Sequence, residues 1–251
     1  ILLGADQLLN HLVKYDWMYD NQVKTDVTIR TAIGGGRGYG PTHSQSIEPI
    51  IAGIPNIKII SPSHYHDPGE ILERCVLKEP GIKIFCEYKM NYAQNLIDTG
   101  DSVESISFKR TSGSFPTVYL SNCDFSKPDL CIITHGGNTL LVEDLMTELM
   151  IEYELSINAV IPSIIKPLPI DDLKDSVKES EVILILEESP KEFGWGSEVL
   201  SALYEASLLQ DKKALRVGGK EQPIPSAIQM ESKALPSVEM VKSLLNKEIG
   251  I

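Results

Sequence analysis

The chain has 251 residues, 42% hydrophobic and 23% charged, which is apolar enough for one large core or two ordinary ones; disorder is excluded and two domains are expected. Its 23 basic against 35 acidic side chains give a net charge of −12, a sign that repels phosphate backbones and anionic bilayers, so neither nucleic acid nor membrane is an expected partner. No apolar run nears the roughly 20 residues of a bilayer span, Ile1 opens without a basic leader, and Cys75, Cys86, Cys123 and Cys131 form no CxxC pair, so reduced thiols and a cytoplasmic location are expected.

From Gly4 to Asn21 the residues Leu8, Leu9, Leu12, Val13 and Trp17 fall at helical spacing, which predicts an amphipathic helix. The run Val27-Thr28-Ile29-Arg30-Thr31 lies in a strand ending near Ile33. Five of the seven residues from Gly34 to Gly40 are glycine, so the chain turns sharply there, with access to positive φ. Thr42-His43-Ser44-Gln45 has the form of a capping box, with Ile47, Ile50 and Ile51 as the apolar face behind it; a short helix is expected to start at Thr42. Ile57 to Ile60 reads as a strand. Asp67-Pro68-Gly69-Glu70 supplies an N-cap, a first-turn proline and a capping-box glutamate for a helix through Leu77, and Ile82 to Tyr88 is the next strand. Such alternation argues a parallel sheet with helices on both faces.

Between Lys89 and Pro128 the periodicity fails, which suits a linker with a small hairpin and divides the chain into residues 1–110 and 111–251. Strands at Leu130 to Thr134, Ile157 to Ile161, Val182 to Leu186 and Leu215 to Val217 then alternate with a helix capped by Asn138 and helices at Asp171 to Val177 and Ser197 to Ala206. A last helix spans Val238 to Lys247. The fold class is therefore α/β, two domains with mainly parallel sheets. No strand precedes the first helix, so the start of the first sheet is expected ahead of Ile1.

The strongest chemical signal is the strand-to-helix stretch from Arg30 to Ser46, because ligands of open parallel sheets gather at the carboxyl ends of the strands. Its free amides could serve a phosphate, although neither GxxxxGK[ST] nor a clean GxGxxG is present; a flexible turn with a solvated His43 is the other reading. On the first turn of a helix, His43 would be disfavoured as imidazolium and suited to proton exchange. His64 and His66 beside Asp67 lack a third metal ligand and read as capping or solvated residues, His135 as a satisfied turn residue, and His11 as an unremarkable helix position. Glu187 and Glu188, which close a strand ahead of Phe193-Gly-Trp-Gly-Ser-Glu198, read as interface carboxylates in a turn, since nothing sets an acid and a base across one substrate. No Gly-x-Ser-x-Gly elbow occurs.

Arg30 through Ser46, followed by Ile54-Pro-Asn-Ile-Lys-Ile-Ile-Ser-Pro62 and Asp67, resembles the beta subunit of thiamine-diphosphate-dependent 2-oxo acid dehydrogenases. Thr134-His-Gly, Lys166-Pro-Leu-Pro-Ile-Asp171, Glu187-Glu-Ser, Phe193 to Glu198 and Pro223-Ile-Pro-Ser-Ala227 continue the resemblance in order, over nearly the whole chain. Gly-Pro-Thr-His also occurs in transketolases and deoxyxylulose-phosphate synthases, but His43-Ser-Gln-Ser is closer to the dehydrogenase form.

The resemblance implies an incomplete pyrimidine-binding domain followed by a transketolase C-terminal domain. It implies oxidative decarboxylation of a 2-oxo acid on thiamine diphosphate, with acyl transfer to the lipoyl group of an acyltransferase core. An alpha subunit, or a fused alpha portion, would hold the diphosphate and its magnesium, and homo-oligomers are expected. His43 would line the active-site funnel and handle protons, within an active-site loop of Arg30, Gly36, Arg37, Tyr39, Gly40, Ser44 and Gln45. The glutamate that protonates the aminopyrimidine is expected upstream of Ile1, so the fragment alone is expected to be inactive.

Many such subunits hold potassium in a turn matching Cys75-Val76-Leu-Lys78-Glu-Pro80. Lys78 stands where an aspartate is expected, and two like charges at about 4 Å in an effective dielectric of about 20 repel by about 4 kcal/mol, so no ion is expected. Lys78 would either satisfy the helix-end carbonyls or point to solvent. Two other readings are a non-catalytic oligomerisation or docking module and a transketolase-type sugar enzyme; for the latter, Ser163 to Pro169 with Arg216 offers no sugar-phosphate anchor.

Overall fold

The computed structural model describes residues 1–98 and 106–251. Isoleucine-rich runs form the first sheet, in which β1 (Val27–Ile33), β3 (Ile82–Tyr88) and β2 (Ile57–Ile60) lie parallel in that order. Ile59 and Ile84 are wholly buried, as a sheet covered on both faces requires. A fourth strand, β8 (Ile164–Lys166), arrives from far along the chain and runs antiparallel to β2.

The second sheet has the order β10-β9-β6-β7-β5-β4, with β10 (Lys213–Gly219), β9 (Val182–Pro190), β6 (Leu130–Ile133) and β7 (Ile157–Pro162) parallel. The expected hairpin is present as β4 (Ser107–Arg110) and β5 (Thr117–Ser121), which extend this sheet antiparallel along β7. The sheet membership therefore changes before Ser107, ahead of a division at residue 110, and β8 crosses back to the first sheet.

Alternation along β6 sends Leu130 and Ile132 toward α4 (Thr139–Tyr153) and α8 (Val238–Ile249), and Cys131 and Ile133 toward α5 (Ile170–Glu179) and α6 (Trp195–Glu205). The latter cluster also takes in Ile33, Ile59 and Ile84, so one continuous core joins the two sheets. Among the described residues no helix is long and apolar enough to cross a membrane. Cys75, Cys86 and Cys131 are buried free thiols, and Cys123 is half-buried and free.

Several expectations are corrected. The first helix is broken into short 3-10 and π segments from Leu2 to Lys14, then α1 (Tyr15–Met18). The π turn sets Leu8 and Val13, five residues apart, into the core, while Trp17 stays 79% exposed. No helix starts at Thr42: α2 (Glu48–Ala52) begins six residues later with Pro49 in its first turn. This stretch is tied elsewhere: the Gln45 carbonyl accepts from Gly34 N at the end of β1, and Ser46 Oγ donates to Glu188. Asn138 stands at the N-cap of α4 without a side-chain cap bond.

β9 continues to Pro190, which places Glu187 and Glu188 within a strand instead of a turn, and α6 starts at Trp195. At the end of α3 (Pro68–Leu77) Lys78 is exposed and caps nothing with its ammonium; the Cys75 carbonyl accepts from Thr28 Oγ1 at 3.1 Å. Beyond the expected elements lie β8 and α7 (Ile228–Ala234).

Candidate functional site

β1 ends at Ile33 and the glycine turn follows, with φ of +84° at Gly34 and +86° at Gly36. At Gly36 the left-handed backbone favours glycine, and a Cβ there would lie 3.0 Å from Met90 Sδ, a side chain that would have to shift. The amides of this turn are bound by carboxylates from the second half of the chain. Gly35 N donates to Glu188 Oε1 at 3.0 Å, Gly36 N to Glu231 Oε1 at 2.9 Å and Gly38 N to Glu231 Oε2 at 2.6 Å. Ser46 Oγ donates to the same Glu188 oxygen at 2.5 Å, which closes the loop at its far end. Burial pushes the Glu188 carboxyl up, against the opposing pull of Ser46 and the Gly35 amide.

His43 sits in a turn in this loop, its amide donating to the Gly40 carbonyl at 3.2 Å and its carbonyl accepting from Lys89 Nζ. The ring is exposed and bonds to none of the described residues. It lines a cleft of about 660 Å³ at the carboxyl edge of the first sheet, together with Tyr39, Gln45, Thr31, Ile47 and Lys89. Arg37 Cζ and Lys89 Nζ lie 5.7 and 5.9 Å from the centroid of the Tyr39 ring, so the rim carries cations stacked on an aromatic face. Since His43 precedes α2 instead of opening a helix, no helix dipole acts on its ring.

The residues of the expected loop thus separate. Tyr39, His43 and Gln45 share the cleft; Gly36, Arg37 and Gly40 shape the turn; Ser44 is buried, its hydroxyl without a partner among the described residues. Arg30 pairs with Glu87 beside a different cavity of about 300 Å³. Sequence reasoning missed Glu231, Lys89 and Glu48. The Glu48 carboxyl is buried, accepts from Tyr88 Oη at 2.5 Å, and leaves Oε2 without a partner among the described residues; burial raises its pKa to about 7.

The other singled-out groups are structural. His135 is buried against Trp195, with Nδ1 2.9 Å from Ser61 Oγ, and burial lowers its pKa to about 3. His66 accepts from Ser63 N and donates through Nε2 to the Pro116 carbonyl at 3.1 Å; its pKa is likewise lowered to about 3 by burial. His64 pairs with Glu143 at 2.8 Å. Glu187 is tied to Arg216 at 2.9 Å and to Ser189 at 2.9 Å. Among the described residues no three His, Cys, Asp or Glu side chains are grouped to hold a metal.

The glycine loop does not fit the diphosphate of thiamine diphosphate. The amides that would cradle phosphate already donate to Glu188 and Glu231, and those carboxylates would repel an incoming anion.

Residues 122–241 match the transketolase C-terminal domain. Over 98% of its length the chain is 26% identical to the mitochondrial pyruvate dehydrogenase E1 component subunit beta of Saccharomyces cerevisiae, of which it spans 66%. It spans 61% of the corresponding beta-2 subunit of Oryza sativa, at 24% identity over 94% of this chain. A third relative is the acetoin:2,6-dichlorophenolindophenol oxidoreductase subunit beta of Cupriavidus necator, 22% identical over 96% of this chain and 68% of that subunit. A solved structure described as a split gene transketolase, inactive beta4 tetramer, shares the fold with a TM-score of 0.68 at 16% identity, covering 98% of this chain and 71% of that one.

Proposed function

Because residues 122–241 match the transketolase C-terminal domain and nearly the whole chain is similar to E1 beta subunits, we propose that this is a beta-subunit-like chain of the transketolase family, the beta portion of a 2-oxo acid dehydrogenase. It would act with an alpha subunit or fused alpha portion and a lipoyl acyltransferase core, as a homo-oligomer in the reducing cytoplasm. The observation that carries the reading is His43: an exposed, unengaged imidazole held over a cleft with Tyr39 and Gln45, where a proton can pass to or from a bound group. Thiamine diphosphate and magnesium would be held by the alpha portion, in keeping with a glycine loop whose amides are already satisfied by carboxylates. The contribution of this chain is to place His43, Tyr39 and the Lys89 cation at the cleft and to wall its inner side with Ile47.

The sugar-enzyme reading has less support, because Arg216, the cation it would need as a phosphate anchor, is neutralised by Glu187. The test is co-expression of the full-length protein with the alpha subunit of the same organism. Reduction of an artificial electron acceptor that depends on pyruvate, 2-oxoglutarate or a branched-chain 2-oxo acid supports the proposal; an assembled complex inactive with all of them overturns it.

A further inference from the structure

We propose that Glu188 and Glu231 are positioning residues for the His43 cleft: two carboxylates from separate elements of the second half that hold the glycine loop in the single conformation placing Tyr39 and His43 at the cleft. The functional part rests on the reading just given, whereas the clamp rests on geometry alone. Glu188 reaches the loop from β9 and Glu231 from α7, and between them they engage three of its amides and the Ser46 hydroxyl. A segment with positive φ at Gly34, Gly36, Gly38 and Gly40 has little conformational preference of its own, so external tethers decide its shape. Glu231 is 1% exposed. A carboxylate so buried must keep its charge-assisted bonds, and these exist only in one arrangement of the loop. Lys89 completes the device, since its ammonium holds the His43 carbonyl while facing Glu188 and Glu231 electrostatically.

The two carboxylates use their oxygens differently, which makes the proposal sharp. Both bonds to Glu188 fall on Oε1, whereas Glu231 spends one oxygen on Gly36 and the other on Gly38. A glutamine at 188 keeps a carbonyl oxygen for both donors. A glutamine at 231 must turn an NH2 toward one of two amides, a donor against a donor.

Amide hydrogen exchange of the full-length protein reads this directly. Exchange across residues 34–40 is expected to accelerate about ten-fold or more in Glu231→Gln and less than three-fold in Glu188→Gln. Equal effects, or none in Glu231→Gln, overturn the clamp. Should Glu231→Gln fail to fold, the unsubstituted protein decides: Gly36 and Gly38 amide protons well downfield of random-coil positions support carboxylate bonding, and random-coil shifts refute it. In the complex with the alpha subunit, Glu231→Gln is expected to lower kcat about ten-fold with the 2-oxo acid KM within two-fold, and Glu188→Gln to retain more kcat than Glu231→Gln. The reverse order, or a loss confined to KM, contradicts positioning. If the exchange results hold while the unsubstituted complex oxidises no 2-oxo acid, the clamp stands and the functional reading falls.

Discussion

Strand β6 of the second sheet is buried along its whole length, sealed by α4 and α8 on one face and by α5 and α6 on the other, whereas β1 of the first sheet is buried only at Ile33 and carries an irregular helical segment beside it. The second half covers both faces of β6 with its own helices; the first half draws elements and tethers from the second. β8 extends the first sheet, Trp195 and Leu173 share its core, and Glu188 and Glu231 hold its glycine loop. The exposed histidine stands in the first half. Loops that carry chemistry need donors and cavities at the surface, and rigidity must then come from elsewhere.

The contrast can be broken by mutation. Leu145→Ala, in the sealed helix α4, is expected to cost about 2–5 kcal/mol, while Leu9→Ala in the N-terminal segment should cost less than about 0.5 kcal/mol; urea denaturation of both variants makes the comparison. Equal costs would mean that the first half is as tightly packed as the second.

Titration sharpens it next. Glu48 has its folded pKa raised from 4.5 to about 7, so its contribution to stability is complete below about 4.5 and is lost as pH rises toward 7. His66 and His135 work in the opposite sense: lowered from 6.5 to about 3, they contribute fully above about 6.5 and lose that contribution as pH falls toward 3. Glu48→Gln should therefore gain on the unsubstituted protein by about 3 kcal/mol between pH 4.5 and 7, measured by denaturation at both values. A pH-independent difference would show that the Glu48 carboxyl does not stay protonated on folding. A smaller effect than the Glu48 one is expected at a local device: Asp67→Ala removes the cap on Glu70 N and should cost about 1 kcal/mol, visible as a lowered Tm.

Local chemistry explains which parts were legible in the residues alone. β2 and β3 fall where their isoleucines place them, and α3 starts at Pro68 with Asp67 accepting from Glu70 N, because cap, proline and apolar spacing all agree. The Thr42 box opens no helix, and the stretch is held by partners distant in sequence that no local window contains, the Gln45 carbonyl by Gly34 N and Ser46 Oγ by Glu188. β8 is three residues long and takes its identity from β2, about a hundred residues earlier, so no window around Ile164 contains its reason. At the site, the position of His43 beyond a strand and a glycine turn was readable, whereas Tyr39 and Gln45, which share its cleft, were named only through the family resemblance. Glu231 was not, because Met230-Glu231-Ser232 resembles any polar helix surface until α7 carries it against Gly36 and Gly38.

The role of His43 is the claim on which the functional account turns, and one measurement addresses it most directly. In the full-length protein assembled with the proposed alpha subunit, the single-turnover rate of lipoyl acylation from a 2-oxo acid is compared with thiamine diphosphate affinity, before and after His43→Ala. The account predicts a loss of about 10²–10⁴-fold in acylation, the range of a proton-transferring group, with affinity for the cofactor little changed. An unchanged acylation rate, or a loss explained wholly by weaker cofactor binding, would contradict it.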